Sequence, residues 1–196
     1  RELVRSGGAP SLSMRKLAAE LGVAPTAIYW HVGDREELLN AVLDAELAEV
    51  EPITATGTTP QQRLRSVARA VRRQVQDAPH VQTLAAALDR SADLSFPGQV
   101  ALAREVTAAG LQGHEAANAV RSILFLVGGF ALLETTLSRR PPGLRTTHQL
   151  WAEVDEDELD GIDASLLTAM RRPTDTDTLF AYALDHLIDS VLTGTH

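Results

Sequence analysis

Apolar side chains recur along this chain at spacings of three and four residues, the period of an α-helix with one buried face. Period-two alternation, the mark of a half-buried strand, is almost absent. The pattern predicts an all-α protein. An opening helix reaches Gly7-Gly8 and gives way to a turn at Pro10. Residues 14–21 form a second short helix, with Leu17, Ala18 and Leu21 facing inward, Ser11 or Ser13 as N-cap and Gly22 as its stop. A third covers 26–32 behind Pro25, burying Ile28 and Val32, and ends at Gly33-Asp34. A longer amphipathic helix runs over 35–49 with Leu38, Leu39, Val42, Leu43 and Leu47 on one side. Pro52 and residues 57–60 close it.

The rest reads as a larger helical body. Residues 61–76 place Leu64, Val67, Ala68, Val71 and Val75 inward and leave Arg63, Arg65, Arg69, Arg72 and Arg73 for the surface. Pro79 starts a helix to about residue 90, and Pro97 opens another to about residue 109. Residues 115–137 form a long apolar helix whose Gly128-Gly129 pair costs about 1 kcal/mol per glycine relative to alanine, so close packing by another helix is expected there. Residues 138–161, with Arg139-Arg140-Pro141-Pro142-Gly143 and an acidic run, read as a long loop. Over 175–192, Leu179, Phe180, Ala183, Leu184, Leu187, Ile188, Val191 and Leu192 make a wide stripe that demands a partner surface. Two units follow, residues 1–50 and 51–196, the 35–49 helix joining them.

Composition narrows the function. A chain of 196 residues, 44% hydrophobic and 22% charged, matches folded proteins rather than disordered ones. With no cysteine it has no thiolate nucleophile and no sulfur-ligated zinc. No uncharged apolar run approaches bilayer-spanning length, so the reading is cytoplasmic with no membrane association. The net charge of −8 argues against a nucleic-acid partner, but its distribution does not. Residues 1–35 hold five bases and three acids, whereas 153–163 hold seven acids.

The informative block is Ser13 through Val32. Two short helices with apolar faces flank Gly22, which permits a sharp turn, and Val23 is placed to plug the angle: the layout of a helix-turn-helix. Pro25, Thr26 and Ala27 stand at the second helix's N-terminal end, where side chains meet base edges and backbone N–H groups favour phosphate. Tyr29, Trp30 and His31 are consecutive rings that cannot all be buried on so short a helix. Arg15 is placed to reach a guanine, and Lys16 or Arg35 a phosphate.

These residues, with Met14-Arg15-Lys16-Leu17-Ala18, Leu21-Gly22-Val23 and the run Ile28-Tyr29-Trp30-His31-Val32-Gly33-Asp34-Arg35 followed by Leu38-Leu39, resemble the TetR family of repressors, and within it the tetracycline-repressor subgroup. The resemblance covers about residues 1–50. It implies a three-helix DNA-binding unit, a homodimer on a palindromic double-stranded operator, and a larger unit holding a small-molecule effector and the dimer interface. It further implies operator contacts from Ser13, Arg15, Pro25, Thr26, Ala27, Tyr29, Trp30, His31 and Arg35. Positions where the subgroup holds its drug and magnesium fall on residues such as Val67 and Ala85, so tetracycline is not the expected ligand. The expected lining is largely apolar, from Leu84, Leu88, Leu102, Ile123, Val127 and Phe130, with His80, Arg121 or Glu134 as polar anchors. The 115–137 and 175–192 helices would pair with their symmetry mates in a four-helix bundle.

Enzymatic readings fare poorly. Asp185-His186 adjoin, but neighbours on a helix point about 100° apart, and no nucleophile elbow, zinc-protease, P-loop or dinucleotide fingerprint is present. No cofactor or metal site is expected. The alternative is a helical protein-interaction adaptor that does not bind DNA. The absence of an initiating methionine suggests that an N-terminal segment precedes this chain.

Overall fold

The computed structural model describes residues 12–138, 140–155 and 159–194, which form ten helices and no strand. The chain is all-α, as the periodicity requires. The expected opening helix and the turn at Pro10 lie outside the described residues.

Helix α1 spans Met14–Leu21 and α2 Pro25–Val32. Ser13 caps α1 by accepting a hydrogen bond from the Lys16 N–H at 3.1 Å. Gly22, in the left-handed region at φ 66°, ends it in a Schellman turn: its own N–H reaches Ala19 O and the Val23 N–H reaches Ala18 O at 3.0 Å. Met14, Ala18 and Ile28 form the small core between the two helices, with Leu17, Val32 and Leu38 packed on it. Leu21 and Val23, expected inside, are 61% and 43% exposed. Periodicity sets only the angular position of Leu21; burial also needs a neighbour at its height, and Ile28 packs instead on Met14 and Ala18, earlier in α1.

Helix α3, Arg35–Ala48, starts with a capping box in which Asp34 accepts from the Glu36 and Glu37 N–H groups and Glu37 reaches back to the Asp34 N–H at 2.8 Å. A Cβ on Gly33 would stand 1.6 Å from that Glu37 oxygen. Leu39, Val42 and Leu43 bury against Val81, Leu84 and Ala85 of α5, Pro79–Ala87. Arg90 secures the contact with Asp44 at 2.8 Å and Asp93 at 2.7 Å, and donates to the Asn40 amide oxygen at 3.1 Å.

The main core lies among α4 (Pro60–Asp77), α6 (Ser91–Ala108), α7 (Gly113–Ser138) and α10 (Thr176–Thr193). Leu64, Val67, Leu102, Ile123, Phe180, Leu184 and Ile188 fill it. Pro97 does not open α6 but sits inside it. The proline denies Asp93 its i+4 donor, yet Leu94 packs on the α3–α5 cluster and Asp93 pairs with Arg90, which holds the helix together upstream. Arg72, expected at the surface, is buried on the stripe of Leu64 and Ala68. Its guanidinium pairs with Glu134 and Asp177 and lies 4.4 Å above the Phe180 ring.

The expected loop over 138–161 holds a helix, α8 (Thr147–Glu153), and α9 (Ala164–Met170) follows it. A Thr146–Gln149 capping box and the Asp163 cap supply their starts, signals masked in the sequence by the neighbouring prolines and acids. Helix α7 is also long and apolar enough, by length and composition alone, to cross a bilayer: it has 26 residues, and an 18-residue stretch of it has a mean hydropathy of 1.7. The expectation concerned uncharged runs, and Arg121 and Glu134 interrupt this helix. One of its faces packs against α4, α6 and α10. Among the described residues nothing lies within 4 Å of a Cβ built on Gly128 or Gly129. The close approach occurs elsewhere, at Gly98, where an added Cβ would meet Val71 Cγ2 at 2.9 Å.

Candidate functional site

Two surfaces carry candidate chemistry. The first is α1 and α2. Ser13, Arg15, Pro25, Thr26, Tyr29, Trp30, His31 and Arg35 are exposed and Ala27 is half-buried, so the turn brings the expected contact residues to one end of the molecule. Trp30 is 89% exposed and Tyr29 52%. Burying a tryptophan contributes about 1.5–3 kcal/mol or more, so leaving one in water is a cost that a partner surface removes. Pro25 opens α2 and no side chain caps it; Pro25 has no N–H, and the Ala27 N–H donates to the Ala24 carbonyl at 2.9 Å. Arg35 does more than the sequence suggests: its Nε donates to the Leu12 carbonyl at 3.0 Å and braces the start of α1.

The second surface is a cavity of about 810 Å³ between the C-terminal end of α3 and helices α4, α6 and α7. That volume lies within the ordinary range for small-molecule sites. Val71 and Val75 of α4, Val81 of α5, Leu94 of α6, Leu124 and Val127 of α7 and Ile53 of the connecting segment provide its apolar wall. Glu46, Glu49, Glu51, Asp77, Arg73, Gln74 and Gln82 provide its polar one.

Of the effector residues expected from sequence, Val127 lines this cavity and the others do not. Leu84, Leu102 and Ile123 are fully buried in helix packing and Leu88 packs beside them. Phe130 meets Phe180 edge-on with centroids 5.2 Å apart, and Glu134 is the partner of Arg72. Arg121 is exposed on α7. His80 sits beside the cavity rather than on its wall, its Nε2 3.6 Å from a Glu46 oxygen. The glutamates at 46, 49 and 51 were missed, because a charged residue at the end of a helix reads as a solvated one. The available signal was position: they cluster at a helix terminus just before Pro52, where the chain must cross the body.

Fold and site together define a helix-turn-helix protein whose helical body bears a half-open cavity beside the linking helix. The family model of the tetR family of bacterial regulatory proteins matches residues 1–42. Over those residues the chain is similar to the DNA-binding unit of the TetR family. A transcriptional regulator of Saccharopolyspora erythraea of the helix-turn-helix type is 34% identical over 108 residues, covering 55% of this chain and 44% of that one. Among solved structures, a TetR-type transcriptional regulator from Streptomyces coelicolor superposes with a TM-score of 0.72 at 24% identity, over 98% of this chain and 93% of that one. ActR of the same organism, solved in complex with actinorhodin, gives a TM-score of 0.67 at 24% identity over 98% and 92%. These likenesses show the fold. The chain spans about half or less of the length of the curated relatives it matches.

Proposed function

We propose that this protein is a ligand-responsive transcriptional regulator that binds a palindromic operator as a homodimer, in the cytoplasm, and is released by a small effector. The observation that carries this reading is the exposed Tyr29-Trp30-His31 run on α2, behind an uncapped helix N-terminus and a tight glycine turn. Tyr29, Trp30, His31 and Arg15 contact bases and phosphates, while Thr26 anchors the backbone. Residues 1–50 read DNA and residues 51–196 sense the effector.

The dimer reading rests on α7. Asn118, Arg121, Phe125, Gly129 and Leu132 lie on one exposed stripe, with Phe125 81% and Leu132 70% exposed. Leu179 and Tyr182 of α10 are exposed as well. Two such faces crossing at Gly129 bury the apolar side chains and account for a glycine whose Cβ position is open among the described residues. Recognition helices then meet successive major grooves about 34–36 Å apart. The effector reading is supported by the cavity, and by ActR, a protein of this fold crystallised with a small molecule.

The test is selection of genomic DNA fragments by the purified protein, repeated with Tyr29→Ala and Trp30→Ala. Both side chains are exposed, so each variant should melt like the parent and lose roughly ten- to a hundredfold in operator affinity. Failure to enrich any sequence at low salt overturns the regulator in favour of the adaptor.

A further inference from the structure

Where α4 packs on α10, the charges form a ladder with one rung missing. Arg65 of α4 pairs with Asp185 of α10 at 2.6 Å, and Arg72 with Asp177 at 2.6 Å. Asp177, Ala181 and Asp185 stand four residues apart on one face of α10, so the position between the two aspartates is an alanine. The short side chain of Ala181 lines a second, half-open cavity of about 280 Å³, which Asp177 also lines from α10 and Arg69, Arg72 and Arg73 line from α4.

Arg69 and Arg73 are exposed and make no hydrogen bond or ion pair among the described residues. They too stand four residues apart on one helix face, where like charges cost stability as long as nothing lies between them. Beside them Arg72 is 9% exposed, and its Nε is buried with no hydrogen-bond partner among the described residues. The wall therefore sets three guanidiniums against one carboxylate, Asp177, which Arg72 already engages. Glu134, the other partner of Arg72, is not on the wall, and Asp175 is occupied in capping α10.

We propose that this cavity binds a phosphate dianion, free or as the monoester of a small molecule, between Arg69 and Arg73. Two uncompensated guanidiniums call for about two negative charges, and a phosphate monoester brings about −1.5 to −2 at pH 7 on three acceptor oxygens. A lone carboxylate, with one charge, satisfies one guanidinium fork and leaves the other. The volume falls just under the ordinary range for small-molecule sites, which suits the charged group with the rest of the molecule in water. Nothing in this arrangement depends on what the larger cavity holds, although Arg73 lines both.

The arginine Nε–Hε resonances of the isotope-labelled full chain are followed while inorganic phosphate, phenyl phosphate or benzoate is added. Ionic strength is held at about 0.15 M, where the Debye length is about 8 Å, to screen diffuse attraction. At least one of the two phosphates should bind with a Kd of about 1 mM or tighter, and benzoate at least roughly tenfold more weakly. Equal affinities for the two phosphates support the free ion as ligand, and tighter binding of phenyl phosphate supports an ester. Arg69→Gln with Arg73→Gln removes no paired group and should abolish binding. Arg104→Gln with Arg172→Gln takes the same charge from exposed arginines elsewhere and should leave it unchanged. Ala181→Glu supplies the missing rung, and should abolish phosphate binding while raising the melting temperature. Melts establish that each variant folds, and the Arg69/Arg73 pair decides the matter if Ala181→Glu does not fold. Equal losses in the two arginine pairs, benzoate bound as tightly as phenyl phosphate, full binding in a folded Ala181→Glu, or no binding of any probe overturns the phosphate site.

Discussion

Arg72 offers the sharpest test of how the body is held together. Its side chain is 9% exposed, its Nη2 reaches Glu134 and, at 2.6 Å, Asp177, and its Nε is buried without a hydrogen-bond partner among the described residues. Glu134 is itself only 17% exposed, while Asp177 is 76% exposed. The Asp177 contact is therefore screened and contributes about 0–1 kcal/mol. Truncating Arg72 to alanine strands the Glu134 carboxylate, to which Gln76 alone still donates, at 2.8 Å. Stranding one partner of a buried pair costs about 3–5 kcal/mol. For a chain of 196 residues that corresponds to a melting point lower by roughly 6–20 °C. The double variant Arg72→Met with Glu134→Leu fills similar space with no charge, and should recover most of the loss or exceed the parent. Circular dichroism melts and urea unfolding at one protomer concentration measure both. A loss below about 1 kcal/mol for Arg72→Ala, or a double variant no better than the single, would refute a desolvated Arg72–Glu134 pair.

Further expectations concern the turn, the dimer face and pH. Gly22→Ala meets no atom within 4 Å, so its cost is conformational alone, about 1–2 kcal/mol in unfolding free energy, with Gly22→Asn milder. Phe125→Glu and Gly129→Leu on the exposed face of α7 should yield a monomer in sedimentation equilibrium and weaken operator binding without changing the far-ultraviolet spectrum; persistence of the dimer in both excludes that face. The Asp175 carboxyl, which caps α10, is held below the usual carboxylate range by the Thr178 hydroxyl and then the Thr178 N–H. Its folded pKa is depressed, so its contribution is complete above the ordinary carboxylate range and is lost as the pH falls through the lowered value. Melts taken across acidic pH should show Asp175→Asn converging on the parent only at the acid end.

Helix positions were largely legible because their punctuation is local. Ser13 and Gly22 bracket α1 and Pro79 opens α5, whereas Pro60, read as closing the preceding helix, opens α4. Pro97 misled because the residue that favours a helix start is tolerated inside a helix when flanking contacts outweigh one lost hydrogen bond. The exposure of Tyr29, Trp30 and His31 was readable for a similar reason, since three adjacent rings on one short helix overfill its buried face. The cavity was not. Leu84, Leu102 and Ile123 have the spacing of any inward residue, and spacing cannot separate a side chain that packs from one that lines a void. Arg72 lies at i+4 and i+8 from Ala68 and Leu64, so its burial was encoded in the period, but the charge concealed it.

The fit between Gly33 and Glu37 makes the two positions unequal in descent. Gly33 holds φ 79°, a conformation side chains rarely adopt, so it excludes a side chain whether or not a carboxylate stands at 37. Glu37 closes the capping box but can be given up while the turn stays, so sequences descended from a common ancestor of this protein should lose the glutamate before the glycine.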